Sequence, residues 1–176
     1  MKNVNKALGI ISITTLLMSP SVFANDWFIG AGVGYQSDTI KGHNYKKDSE
    51  DMSYQLRGGV IIDNQHRFTG NWSYTDNKFD GTKLEQHLFY GSYDYLYSVG
   101  QHSYLFGGVS MGVSDNKVFG KASTDFLWGA QVGAGIRIND NISTEIGYQY
   151  FDQDYSRGGY KIDDTHQIMA SINYHF

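Results

Sequence analysis

The feature that most constrains this chain is its end. Over residues 166–176, Ile168, Ala170, Ile172, Tyr174 and Phe176 are apolar or aromatic, while Gln167, Ser171, Asn173 and His175 between them are polar. Met169 and His166 break the alternation. A period of two residues is that of a β-strand with one greasy and one wet face. A soluble sheet finishing on such a strand would offer an unpaired edge to other chains. A closed barrel removes that edge by pairing the last strand with the first. The terminal aromatic, Phe176, then sits at a membrane interface with Tyr174 behind it, and the two are expected to act as an assembly signal.

The other end agrees. Residues 1–24 carry Lys2 and Lys6, then a mainly apolar stretch over 7–18, then Val22 and Ala24 at the −3/−1 spacing of a secretory cleavage site. The apolar stretch is shorter than the roughly 20 residues of a membrane helix. A cleaved signal peptide is therefore expected over 1–24, leaving residues 25–176 as one domain. Removing Lys2 and Lys6 leaves 12 Lys and Arg against 18 Asp and Glu, a formal charge of −6. An acidic chain without a basic stripe is not expected to bind nucleic acid. With no cysteine there is no disulfide framework. Mean hydropathy is negative, which a barrel permits because only alternate residues face lipid.

Alternation marks eight segments: 26–37, 52–62, 66–75, 85–97, 103–113, 126–138, 142–151 and 166–176. In the first, Trp27, Ile29, Ala31, Val33 and Tyr35 share one face. In the sixth, Phe126, Trp128, Ala130, Val132, Ala134, Ile136 and Ile138 do so. The fourth is the least clean, and its outward face is taken as Phe89, Gly91, Tyr93, Tyr95 and Tyr97, because the other phase would put Asp94 in lipid. The lengths suit the roughly 9–11 residues of a tilted membrane strand. Links over 63–65, 98–101 and 139–141 are short; those over 38–51, 76–84, 114–125 and 152–165 are long. Short turns on one side and long polar loops on the other is the pattern of an outer-membrane barrel with both termini on the periplasmic side. Outward aromatics gather near both sets of strand ends, as amphipathic rings do at lipid–water boundaries. The fold expected is an all-β, eight-stranded antiparallel up-and-down transmembrane barrel.

The segment Asp26-Trp-Phe-Ile-Gly-Ala-Gly-Val-Gly-Tyr35 after a signal, with Ser171-Ile-Asn-Tyr-His-Phe176 at the end, resembles the small eight-stranded outer-membrane barrels. These are the OmpA transmembrane-domain and OmpX/Ail-like "porin family" proteins. The resemblance covers the whole chain after residue 24 and is specific for the barrel class, weak for any one member. It implies a Gram-negative outer-membrane location and a monomer. The partners it implies are outer-membrane lipid, lipopolysaccharide and the barrel-assembly machinery. No peptidoglycan-binding domain is expected after the barrel, and so the two-domain OmpA architecture is not expected.

Within the lumen, alternation places Arg57, Arg67, Asp94, Arg137 and Glu145, with Gln55, Asn71, Gln131, Gln149 and Asn173. An eight-stranded barrel has room only for side chains, and buried charges must pair. Arg57, Arg137 and Glu145 are expected to form one network, Arg137 and Glu145 lying either side of the turn at Asn139. A structural polar plug is favoured over a gated conductance path. Catalysis is not expected: His102-Ser103 lies at a periplasmic turn, and His166, with Asp163, Asp164 and Ser156, has no recognisable motif. The six histidines show no metal-ligand spacing, and Gly30-Ala-Gly-Val-Gly34 lacks the spacing of a nucleotide loop. No cofactor is expected.

Exposed loops on a rigid scaffold usually carry function. Lys41, Lys46 and Lys47 in the first long link, and Tyr155, Arg157 and Lys161 in the fourth, are the candidate contact residues. Similarity to the Ail-like group implies adhesion to a host surface or matrix ligand, or resistance to host defences. A purely structural role, with loops contacting only lipopolysaccharide, is the alternative; a low-conductance channel or a lipid A-modifying enzyme stands behind both.

Overall fold

The computed structural model describes the backbone of residues 26–42, 45–79, 82–118, 121–157 and 160–176, and side chains within these outside 38–50, 76–85, 115–125 and 153–163. The signal peptide expected over 1–24 lies outside the described residues. Eight strands follow one another: β1 (Asp26–Gly42), β2 (Tyr45–Ile62), β3 (His66–Phe79), β4 (Thr82–Ser98), β5 (Ser103–Val118), β6 (Lys121–Asn139), β7 (Ile142–Arg157) and β8 (Tyr160–His175). Each pairs antiparallel with the next, and β1 pairs with β8, so the sheet closes. The seam runs from Phe28 opposite His175 to Asp38 opposite Thr165 without a break in register. Closure leaves no strand edge, which is what lets a β-structure stand in hydrocarbon.

The faces follow the alternation. Trp27 is 53 % exposed and Phe28 2 %; Val132 is 58 % exposed and Leu127 is fully buried. In a bilayer the exposed set faces lipid. In β4, Phe89, Tyr93, Tyr95 and Tyr97 point outward and Asp94 inward, as its charge requires. The periplasmic turns are tight. Asp63 and Asn64 adopt left-handed φ values of 53° and 56°, a conformation Asp and Asn tolerate better than most residues, and one that lets two adjacent strands fold back with their native twist.

One expectation about length needs correction. The strands have 14 to 19 residues, not 9 to 11, because they continue through most of the long links. β1 and β2 stay paired up to Gly42 opposite Tyr45, inside what alternation marks as a loop over 38–51. The reason is physical. An apolar band about 25 Å tall requires outward greasy residues only while the strand is within it. Beyond the band the backbone ladder still satisfies its own N–H and C=O groups, so the strand persists while its hydropathy signal stops.

Candidate functional site

The lumen is layered. At the periplasmic end Phe28, Ile61, Leu96 and Phe106 form an apolar cluster with Tyr104 against it. Towards the extracellular side Leu88, Tyr90, Leu127 and Phe151 form a second. These are inward-facing residues, and period-two reading alone treats such positions as polar. The two clusters bracket a layer of buried charge.

That layer is centred on Arg67, which is 1 % exposed. Its Nε donates to Asp94 Oδ2 at 2.9 Å and its Nη1 to Glu145 Oε1 at 2.5 Å. Arg57 Nη1 donates to the other oxygen, Glu145 Oε2, at 3.0 Å and to Ser171 Oγ at 3.3 Å. Tyr104 OH donates to Glu145 Oε1 at 2.6 Å. Two cations and two carboxylates thus compensate one another, the condition under which buried ions are tolerated. The guanidiniums also lie over aromatic rings, Arg67 at 4.7 Å from the Phe106 centroid and Arg57 at 5.5 Å from that of Phe28, which couples the charge layer to the periplasmic cluster. Amides extend it upward. Gln131 donates to Asp94, Gln149 to Gln131 at 3.3 Å, Tyr90 to Gln149 at 3.0 Å, and Gln55 to Tyr90. Asn71 donates to Ser92 Oγ at 2.9 Å. Two glycines clear the space. A Cβ on Gly135 would collide with the Tyr104 ring, and one on Gly108 with Asp94 and the Tyr93 carbonyl.

Arg137 does not join this network. Its Nη2 reaches Asp26 Oδ2 at 3.0 Å, at the periplasmic rim. Arg137 and Glu145 are close in sequence, but a bulge at the β6–β7 turn intervenes, and Glu145 stands opposite Gly135 in the ladder. The partner that Glu145 takes instead is Arg67, on the far side of the lumen and 78 residues away in sequence. Sequence proximity is a poor guide where a closed barrel brings opposite walls within side-chain reach.

A second constellation lies at that rim. His175 Nδ1 is 2.8 Å from Asp26 Oδ1 and His175 Nε2 is 2.8 Å from Ser143 Oγ. Asn173 Nδ2 donates to Ser143 Oγ at 3.2 Å. Serine, imidazole and carboxylate in that order match the relay of a hydrolase. However, Ser143 is fully buried, so its hydroxyl has no space in which to meet an electrophile. What the three residues do is tie the first strand, the last strand and β7 together. Phe176 N donates to the Trp27 carbonyl at 3.0 Å beside them, and Tyr174 and Phe176 stack with centroids 6.5 Å apart on the outer face. Ser143 and His175 fall on the polar face of the alternation; only closure shows that they meet Asp26.

The remaining candidates are dispersed. His102 and Ser103 line a periplasmic vestibule of about 200 Å³ together with Tyr104 and Arg137. His166 faces outward in the extracellular aromatic belt, its Nδ1 2.6 Å from Tyr148 OH; Asp164 accepts from Tyr150 OH at 2.7 Å. Side chains of Ser156 and Asp163 lie outside the described residues. Among the described residues no group of three His, Cys, Asp or Glu could hold a metal ion.

The side chains of Lys41, Lys46, Lys47, Tyr155, Arg157 and Lys161 also lie outside the described residues, but their backbone register is set. Lys41 of β1 is opposite Lys46 of β2 on one side and opposite Lys161 of β8 on the other. Ile40 is opposite Lys47, and Ile162 is opposite Tyr155. Candidates from two links more than a hundred residues apart therefore fall in adjoining rows on neighbouring strands.

No curated protein sequence matches the chain. Solved structures do. The Neisserial surface protein NspA has 16 % identity and a TM-score of 0.68, covering 85 % of this chain and 97 % of its own. OprG of Pseudomonas aeruginosa has 13 % identity and a TM-score of 0.56, covering 88 % and 97 %. Ail, the attachment invasion locus protein of Yersinia pestis, has 14 % identity and a TM-score of 0.52, covering 85 % and 98 %; it is also solved in complex with the heparin analogue sucrose octasulfate. At these identities the likeness establishes the fold, a small outer-membrane barrel. The sequence profile of the outer membrane protein beta-barrel domain matches residues 10–176, and the chain belongs to that family, whose place is the outer membrane.

Proposed function

We propose that this protein is a surface-interaction barrel, exported through a cleaved signal peptide, whose joined β1–β2 and β7–β8 extensions bind sulfated or phosphorylated polysaccharide. The observation that carries this reading is the row Lys46–Lys41–Lys161 across β2, β1 and β8. Adjacent strands lie about 4.8 Å apart, so three cation-bearing positions fall within roughly 10 Å of one another. Like charges directly opposite each other weaken a sheet. A polyanion with closely spaced sulfates or phosphates relieves that repulsion as it binds, so the row favours such a ligand over a neutral one. The heparin analogue bound by Ail supports the same ligand class. Lys47, Tyr155 and Arg157, in the adjoining rows, extend the surface.

The test uses the folded barrel in detergent or nanodiscs on immobilised heparin. Wild type is expected to bind at low salt and elute as salt rises, since exposed charge interactions are screened. The triple variant Lys41→Glu, Lys46→Glu, Lys161→Glu should flow through. Wild-type flow-through at low salt, or retention of the triple variant at the wild-type salt concentration, would overturn the reading.

The lumen is read as a structural plug. Its charge layer is bracketed by apolar clusters, and apolar constrictions oppose ion passage. Steady single-channel current through wild type in a planar bilayer would favour the channel alternative.

A further inference from the structure

Within the charge layer, three polar atoms are buried without a protein partner: Arg57 Nε, Arg67 Nη2 and Thr69 Oγ1. All three residues line one central chamber of about 10 Å³, which Gln131, Glu145 and Gly147 also border. Buried polar groups are nearly always hydrogen-bonded, and each group left bare carries a desolvation cost. The chamber has about the volume of a single water-sized sphere.

We infer that the lumen binds one structural water molecule, held by Arg57, Arg67 and Thr69. The donor and acceptor inventory and the charge balance together select it. Arg57 Nε and Arg67 Nη2 can only donate, so the occupant must accept twice. Thr69 Oγ1 can donate or accept, and water can answer it in either role. Water meets these requirements, within the two to four partners that buried waters take. A halide could accept from both arginines and from the hydroxyl, so hydrogen-bond count alone does not exclude it. It would, however, add a charge to a layer in which Arg57 and Arg67 are already balanced by Asp94 and Glu145, and an unbalanced buried charge is strongly disfavoured. The apolar clusters on either side make this a closed hydrated cell rather than a segment of a water-filled pore. The water completes the coordination of Arg67, the largest fully buried side chain among the described residues.

The test is a high-resolution crystal structure of the folded wild-type barrel, with a second crystal soaked in bromide. One density peak within hydrogen-bonding distance of Arg57 Nε, Arg67 Nη2 and Thr69 Oγ1 is expected, with no bromide anomalous signal there. A dry chamber, or a bromide peak in it, would overturn the inference. Thr69→Val removes the hydroxyl at nearly constant volume and should reduce the occupancy of the site by more than half. Thr69→Ser keeps the hydroxyl and should retain the water, and it serves if the valine variant does not fold. Full occupancy in Thr69→Val, or loss of the water in Thr69→Ser, would show that Thr69 does not hold it.

Discussion

Charge is handled in opposite ways in the lumen and at the extracellular extensions. In the lumen Arg57 and Arg67 meet Asp94 and Glu145 two against two, with every ion in contact with an opposite one. At the extensions three lysines stand in one cross-strand row. The difference follows from the solvent. Inside a narrow, packed tube an unmatched charge is intolerable, so composition there is set by pairing. In water and headgroups, repulsion between like charges is weak and screened, so cationic residues can stand opposite one another in the ladder. Paired charge holds the lumen together; the cross-strand lysine row is where we propose that a ligand binds.

The strongest way to break the comparison is to unpair the lumen. Arg67→Met leaves Asp94 without its cation and Glu145 with only Arg57, and should destabilise the folded barrel by about 3–5 kcal/mol. Removing the carboxylate as well, in Arg67→Met with Asp94→Asn, should recover part of the loss, because the two sites are coupled. Arg137→Met removes the same kind of side chain from the rim, where it is about one-third exposed, and should cost no more than about 1 kcal/mol. Urea unfolding followed by the mobility shift between folded and unfolded barrel on gels would measure all three. Equal costs for Arg67 and Arg137 would mean that burial does not set the value of these pairs.

The next largest effect lies on the outer wall. Val132 faces lipid mid-strand on β6, and Val132→Arg should cost about 2–4 kcal/mol if the position is near the bilayer midplane. A lipid-phase label should mark Val132 and spare Gln131, its inward neighbour. The reverse pattern would place the faces of β6 the wrong way round.

Which features were legible beforehand follows from the same physics. Facing was readable in every strand because lipid selects alternate residues, and even the doubtful β4 was decided by the single charge of Asp94. Strand length was not readable, because the ladder outlasts the hydrophobic band. In the lumen the members were readable but the partners were not. Parity puts Arg57, Arg67, Asp94, Arg137 and Glu145 inside, while the level at which each one sits depends on strand tilt and closure. Glu145 consequently meets Arg67 across the barrel and not Arg137 across the turn. The pairing of Asp26 with His175 is not legible for a related reason: they are the first and nearly the last residues of the barrel, and only the β1–β8 seam makes them neighbours. The lysine row was hidden because alternation read its residues as loop.

A smaller effect is expected at that seam. His175→Gln or Asp26→Asn weakens the contact joining β1 to β8, each removing a partly exposed hydrogen bond to a charged group, and should cost about 1–2 kcal/mol. Phe176→Ala should act on assembly instead, lowering the amount of barrel recovered in the outer-membrane fraction while leaving the unfolding midpoint of the recovered protein close to wild type. A wild-type yield of membrane-inserted barrel from Phe176→Ala would remove the case for a terminal assembly signal.

The smallest effect on stability is also the sharpest test of the contrast. Lys41 is the middle member of the row, so Lys41→Glu turns three like charges into an alternating set across β2, β1 and β8. Exposed pairs of opposite charge contribute about 0.2–1 kcal/mol, so the variant should be slightly more stable than wild type at low salt. At about 1 M salt, where the screening length falls to roughly 3 Å, the difference should vanish. Polyanion binding should move the other way, falling at low salt by tenfold or more. Opposed signs are the signature of a surface whose repulsion is kept for a ligand. A variant that loses stability and binding together would point to a structural role for Lys41, and one that gains stability without losing binding would place the ligand elsewhere on the extensions.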